Sequence, residues 1–428
     1  MIGNKMYELL KELFPINRSL SGEGVRETLK ILQRENPELK IHSIKSGTKV
    51  FDWTVPDEWN CKEAYIITPN GEKICDYSVN NLHLMQYSVP QEIELDLEEL
   101  KKHLYFLPEF PKAIPYVTSH YKQRWGFCIS YENFLNLKPG KYKVIIKSEL
   151  KKGVLNYADL VIEGESKDEI FFSTYICHPS MANNELSGPV LATFLAKYIK
   201  SLKKRRYTYR FVFAPETIGA LIYLNHHLEH LKKRVKAGFI LTCVGDDKNY
   251  SYLSSRYANT LADKVALNIL NYEVGTFKKY SYLQKGSDER QYCAPGANLP
   301  VCSVMRTKYA EFIEYHTSLD NLEFVTPKGL QGSFDVYTKI IDVLENNFYF
   351  KTTTIGEPQL GKRGLYPSIT TNSIEDYNEA ILLRNVLAYA DGTNDLIDIA
   401  NILNVSAYAL IPIIKKLKQH RLILLIKK

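Results

Sequence analysis

The chain has little that would mark it for a special environment. Its seven cysteines (Cys61, Cys75, Cys128, Cys177, Cys243, Cys293 and Cys302) are scattered, odd in number and never form a Cys-x-x-Cys pair. That pattern excludes a zinc-thiolate knuckle and a secreted disulfide scaffold, and leaves a reduced cytosolic protein as the expectation. No uninterrupted apolar run approaches the roughly 20 residues needed to span a bilayer, so no membrane partner is expected. The opening "MIGNKMYELLKELFP" alternates its charges as an amphipathic helix does and carries no signal-peptide core. Internal repeats and low-complexity segments are lacking too. So is a strong charge imbalance: Lys plus Arg outnumber Asp plus Glu by 55 to 48, and the net +7 is thinly spread. Charge alone therefore does not indicate nucleic acid as a partner.

What is present is an ordinary globular balance, 45% apolar and 24% charged over 428 residues. That length exceeds what one core supports, so two or three units are expected. Up to about Phe51 the apolar residues keep helical periods: Leu9, Leu10 and Leu13, then Val25, Leu29 and Leu32 after a Ser/Gly-rich turn at Ser19–Gly24. Residues 52–124 change to short β-rich runs, with Asn70 and Gly71 placed as a hairpin turn requires, and read as a small insertion. Residues 125–355 alternate strands and helices, which argues for an α/β unit with a mixed, mostly parallel sheet flanked by helices. A Gly/Pro-rich linker, "GEPQLGKRGLYPS", precedes a tail over 365–428 whose pattern predicts helices at Ala380–Tyr389, Asp395–Leu403 and Ser406–His420, then a strand "LILLI". Three helices and a terminal strand match a winged helix.

In the α/β region four apolar strands finish in polar residues. "EIFFSTYI" ends at His178, "YTYRFVFA" at Glu216, "AGFILTCV" at Asp246 and Asp247, and "LPVCSVM" leads to "EYHTSLD" with His316 and Asp320. Ligands of open α/β sheets bind outside the carboxyl ends of strands, so these residues point to one cleft. Glu216, at a strand-to-helix junction with Gly219 permitting close packing, is placed as a general base. Ser187 and Gly188 are expected to let backbone approach whatever His178 holds.

The ordered set His178, "NNELSG", "PETIG", "GSDERQY" and "YHTSLD" resembles the zinc-dependent aminopeptidase superfamily, which contains bacterial leucyl aminopeptidases and, more distantly, glutaminyl cyclases. With "LFPINRSLSGEGVRETL", "FDWTVPDEW" and "YKQRWGFCIS" it is similar to a bacterial group of aminopeptidase-like proteins linked to polysaccharide biosynthesis, which carry an inserted β-rich domain and a C-terminal winged helix. The resemblance covers nearly the whole chain. It implies a metal-dependent hydrolase of a small peptide, amide or amino-sugar-type substrate, with His178 and His316 as zinc ligands and Glu216 as the base. The chain departs from the pattern where Asn184 replaces a bridging aspartate, Thr217 a ligand glutamate, and Thr242 or Cys243 a carboxylate. One zinc ion held by His178, His316 and an oxygen of Asn184 is thus expected rather than two, with Glu185 as a substitute ligand one residue off register. Asp288, Glu289, Arg290 and Asp320 are the residues expected to contact substrate or orient the cleft.

Other readings stand beside these. His226, His227 and His230 in "NHHLEH" look metal-like by composition but fit a solvated helix face, and Asp246 and Asp247 fit turns. The winged helix lacks positive charge at the start of its third helix (Ser406, Ala407, Tyr408, Ala409), which favours a protein partner or self-association over DNA reading. A metal-depleted binding protein on the same fold, and an acyl-transfer or cyclase-type enzyme, are the competing functional classes.

Overall fold

Strands with apolar residues on both faces need cover on both sides, and Glu169–Tyr175 and Thr208–Ala214 are buried at every position, with Glu169 and Arg210 paired to each other. They lie inside an eight-stranded sheet, ordered Lys40–Lys45, Val154–Ile162, Thr208–Ala214, Glu169–Tyr175, Val235–Ile240, Val301–Met305, Ser251–Leu253, Lys278–Tyr280. The four central strands run parallel. Towards one edge the pairing turns antiparallel, and at the other Ser251–Leu253 is antiparallel to its inner neighbour and parallel to its outer one. The computed structural model describes residues 1–366 and 375–426; Pro367 and Ser368 of the expected linker, and Lys427 and Lys428, lie outside them.

Helices Ile2–Leu13 and Glu23–Glu35 bury the apolar positions read from the sequence, Leu9, Leu10 and Leu13 on the first and Val25, Leu29 and Leu32 on the second. Helices Ser187–Ser201 and Ile218–Arg234 follow the two central strands. A Cβ on Gly219 would lie 2.7 Å from the Cβ of Ala214, so this glycine does let the helix close on its strand. Gly188 works differently from the expectation. A Cβ there would lie 2.2 Å from the Leu241 carbonyl oxygen, so the close approach is to the neighbouring strand end and not to the contents of the cleft.

The β-rich insertion is a four-stranded antiparallel sheet, ordered Lys73–Ile74, Glu58–Ile67, Lys141–Lys151, Gln91–Asp96. The Asn70–Gly71 hairpin is present, with Ile66 opposite Ile74 and Gly71 at φ 82°. The sheet reaches beyond the expected limit at residue 124. Lys141–Lys151 alternates exposed and buried positions over much of its length, and its partners are the earlier strands.

Leu261–Phe277 and Asp335–Lys428 make up a second compact unit. Its antiparallel sheet is ordered Asp391–Asp395, Tyr349–Thr352, Ile423–Ile426, with helices Glu375–Tyr389, Leu396–Leu403 and Ala407–Gln419. Asp395 caps the second of these by accepting from the Asp398 amide at 2.9 Å, Asn404 ends it in the left-handed region, and Ser406 caps the third. This is a winged helix, and it takes in Tyr349–Thr352, ahead of the boundary expected at residue 365. Asn268 serves it as well: its Oδ1 accepts from the Ala407 amide at 2.7 Å. Among the described residues no single helix is long and apolar enough to cross a membrane.

Candidate active site

Tyr175 and Ala214 are register partners in adjacent parallel strands, so the chain leaves the sheet at the same edge on the way to His178 and to Glu216. The two side chains meet there: His178 Nε2 lies 3.8 Å from Glu216 Oε2, with Glu216 20% exposed. Glu216 is aimed by its neighbour. Thr217 has φ 65° and ψ −74°, and the Ile218 amide donates to the Glu216 carbonyl at 2.8 Å, which is the strained, non-inverse form of γ-turn. A β-branched residue held this way is rare and marks a position that the surrounding structure enforces.

Behind His178 sits Glu185, the expected substitute ligand, held by several hydrogen bonds. Glu185 Oε2 accepts from the Cys177 amide at 2.7 Å, from the His178 amide and from His178 Nδ1 at 2.9 Å. Its Oε1 accepts from Arg18 Nε at 2.8 Å, and neither side chain of that ion pair is exposed. All of its oxygens are thus committed to the protein, and Nε2 is the nitrogen of His178 left to act. Burial opposes protonation of His178, but Glu185 and then Glu216 outweigh it and raise its pKa. Donor atoms of Cys177, His178 and Glu185 all fall within 4.8 Å of one another. The hydrogen bonds account for that cluster without an ion, and Cys177 Sγ accepts the Glu216 amide at 3.2 Å.

His316 completes the pair of imidazoles, its ring centroid 5.4 Å from that of His178, stacked on Tyr315 at 3.8 Å. Burial, then the charge of His178, hold its pKa down to about 3, so it is a neutral imidazole. Its carbonyl accepts from the Tyr116 amide at 2.9 Å, and the Tyr116 ring lies about equally far from both histidines, at 5.1 and 5.2 Å. Cys177, His178, Glu216, Thr217, Arg290 and His316 line one cavity of about 280 Å³, together with Trp53, Tyr116, His120 and Tyr121 from the inserted region.

The remaining predicted residues stand behind this cavity or act on the backbone. Asn184 donates from Nδ2 to Tyr175 Oη at 2.8 Å, and its Oδ1 is buried with no partner. Asp320, expected at the substrate, is fully buried and accepts from the Asn183 and Asn184 amides at 2.6 and 2.8 Å, fixing the π-helical turn Ala182–Leu186. Burial pushes its pKa up to about 7 against those two amide bonds. Glu289 is likewise buried, its Oε1 accepting from the Gly286 and Ser287 amides and from Tyr309 Oη at 2.6 Å. Asp288 accepts from the Thr217 amide at 2.7 Å, and burial, then the charge of Glu216, raise its pKa well above the carboxylate range. Burial also raises Glu216, while His178 and Arg290 pull it down. Neither Asp288 nor Glu289 lines the cavity, so neither stands where a residue expected to contact substrate would. Arg290 does reach it, bonding Thr217 Oγ1 at 2.5 Å. Asp246 is a turn residue, tied to Asn183 and Thr307, and His230 pairs with Glu169 at 2.7 Å away from the cleft.

His178 Nε2, neutral His316 and the unpartnered Asn184 oxygen are donor types of the kind zinc accepts. The other positions where the family pattern carries ligands are committed elsewhere. Thr217 Oγ1 is bonded to Arg290, Thr242 Oγ1 to Tyr175 at 2.6 Å, and burial pushes the Cys243 thiol up.

The family described as Domain of unknown function (DUF4910) matches residues 7–347. The chain belongs to this family. A winged helix-turn-helix family matches residues 347–424, in keeping with the strand at Tyr349–Thr352. Within these relationships, a Clostridium acetobutylicum protein named "Putative polysaccharide biosynthesis protein with aminopeptidase-like domain" is 45% identical over 399 residues, covering 93% of this chain and 91% of that one. A crystal structure of a "putative peptidase" from the same organism superposes with a TM-score of 0.93 at 41% identity, covering 99% and 96% of the two chains. BSAP, a zinc aminopeptidase from Bacillus subtilis, shares the fold at a TM-score of 0.59 and 13% identity, over 79% of this chain and 94% of that one. The DUF4910 chain therefore has the aminopeptidase-like fold that its motifs imply.

Sequence reasoning missed Arg18, Tyr116, His120 and Tyr121. Arg18 lies in "FPINRSLSG" and the others in "YVTSHY", and neither stretch has a strand end or metal spacing to flag it. Only the fold brings these residues, distant along the chain, to His178.

Proposed function

We propose that this protein is a metal-dependent hydrolase that cleaves a small amide or peptide, with Glu216 as general base and one zinc ion held by His178, His316 and Asn184. The observation that carries this reading is the placement of the Glu216 carboxylate 3.8 Å from His178 Nε2 at the wall of a cavity that also contains His316. Zinc, when bound, supplies Lewis acidity at such a site. Glu216 takes the proton of the attacking water as its oxygen adds to the carbonyl carbon. The same carboxyl then gives that proton to the leaving nitrogen as the C–N bond breaks. Glu185 holds His178 in the orientation that keeps Nε2 forward, a carboxylate–histidine arrangement that tunes a ligand. Tyr116 and Tyr315 wall off solvent beside His316.

The relative's name supports a place in polysaccharide biosynthesis, with an amino-sugar amide as the candidate substrate. The winged helix is proposed as a protein-interaction or self-association module, because Ala407, Tyr408 and Ala409 open its third helix without a cation. The test of the hydrolase is turnover of a panel of peptides, N-acyl amino acids and N-acyl amino sugars by zinc-loaded protein. Glu216→Gln is expected to cut the rate by about 10²–10⁴-fold while leaving the fold intact. Equal rates for the two proteins on every substrate would overturn the assignment.

A further inference from the structure

An enzyme that takes a free amino terminus needs an anion for the ammonium besides its catalytic carboxylate. Among the described residues that line the cavity, Glu216 is the only carboxylate. An ammonium bound to it would occupy the base. Asp288 and Glu289, which could have served, are 1% and 0% exposed, and their bonds go to the Thr217, Gly286 and Ser287 amides and to Tyr309.

The cavity instead carries a cation. The Arg290 side chain lies exposed at its wall, makes one hydrogen bond, to Thr217 Oγ1, and forms no ion pair within 4.0 Å among the described residues. A guanidinium has five donors in a rigid fork, so most of its capacity is uncommitted. The inserted region adds His120, whose Nε2 has no partner, and the edge-to-face pair Trp53 and Tyr121, 5.8 Å apart and 38% and 57% exposed. Large aromatic faces left open at a cavity rim suit the apolar face of a ring. A volume of about 280 Å³ is at the low end for small-molecule sites, so the occupant is compact.

We infer that this cavity selects a compact amide bearing a carboxylate, held by Arg290 with its ring or chain against Trp53 and Tyr121, and not a substrate with a free α-ammonium. The inference rests on the hydrolase reading for the word amide; the preference for an anion stands on the cavity alone.

Calorimetric titration of the full, zinc-loaded chain with phenylacetate, phenylacetamide and phenethylamine compares one ring carrying three end groups. Phenylacetate is expected to bind at least about 10-fold more tightly than the other two, as a charge-assisted bidentate contact requires. Arg290→Gln is expected to erase that preference and Arg290→Lys to keep part of it; the side chain is exposed, and circular dichroism checks the fold. Tighter binding of the amine, or a carboxylate preference that persists in Arg290→Gln because a metal alone holds it, overturns the inference. If the preference follows Arg290 but no N-acyl amino acid or other amide is cleaved, the hydrolase reading fails and the inference stands. If aminoacyl substrates with a free ammonium are cleaved with higher kcat/KM than N-acyl amino acids, the inference fails and the hydrolase reading stands.

Discussion

His178 Nδ1 lies 2.9 Å from Glu185 Oε2, and that same carboxylate is ion-paired through its other oxygen to the buried Arg18 at 2.8 Å. Glu185, next to Asn184, thus fixes the orientation of the His178 ring. Glu185→Gln is expected to weaken zinc binding by about 10 to 100-fold, the usual cost of losing an outer partner of a histidine ligand. It is also expected to lower stability by about 3–5 kcal/mol, since Arg18 would be left as an uncompensated buried charge. Competition with a chromophoric chelator and thermal melts read the two effects separately. Unchanged metal affinity would show that Glu185 serves the fold alone.

Asn184 Oδ1 is buried without a hydrogen-bond partner while Nδ2 donates to Tyr175 Oη, whose own proton goes to the Asn184 carbonyl and would have to turn to meet an oxygen in place of Nδ2. Asn184→Asp meets no steric barrier and adds an anionic donor. Zinc is expected to bind at least about 10-fold more tightly in this variant. Titration showing equal or weaker affinity would remove Asn184 from the ligand set.

Gly188 is pressed against the Leu241 carbonyl, whereas a Cβ on Gly296 would meet nothing within 4 Å. Gly188→Ala is expected to cost about 1–3 kcal/mol by overpacking, and Gly296→Ala close to nothing. Urea denaturation of the two variants checks the contrast, and equal midpoints would contradict the close approach.

Away from the cleft, Glu169 accepts from Arg210 Nε and Nη2 at 2.7 and 2.8 Å and faces His230, while Arg210 also meets Asp159 and Tyr223. Burial raises the Glu169 pKa, but the bonds and charge of Arg210 outweigh it and leave it lowered. A depressed folded-state pKa contributes stability above the unfolded value of about 4.3, and loses it as pH falls through the folded value. The stability gap between the native protein and Glu169→Gln is expected to be widest near about pH 6 and to close below about pH 4. A gap that stays constant over that range would show that the pair is not coupled to folding.

The sequence made the sheet legible because its central strands carry apolar residues on both faces, and the winged helix because Asp395, Asn404 and Ser406 punctuate its helices. His178, Glu216 and His316 were legible as strand-end residues in a known order. The roles of Glu185, Asp288, Glu289 and Asp320 were not, because a carboxylate that accepts backbone amides reads the same in sequence as one that faces substrate. The insertion's contribution was hidden for a different reason. Trp53, His120 and Tyr121 reach the cavity only through long-range packing, and the strand Lys141–Lys151 that pairs with Glu58–Ile67 lies downstream of the apparent boundary.

The central claim is a single-metal hydrolase, and zinc content measured together with amide turnover tests it most directly. Folded protein dialysed against zinc is predicted to retain one ion per chain, to lose it in His178→Ala and His316→Ala, and to turn over an amide in proportion to occupancy. Folded protein that retains no zinc and cleaves none of the amide panel would contradict the account and leave a metal-free binding protein in its place.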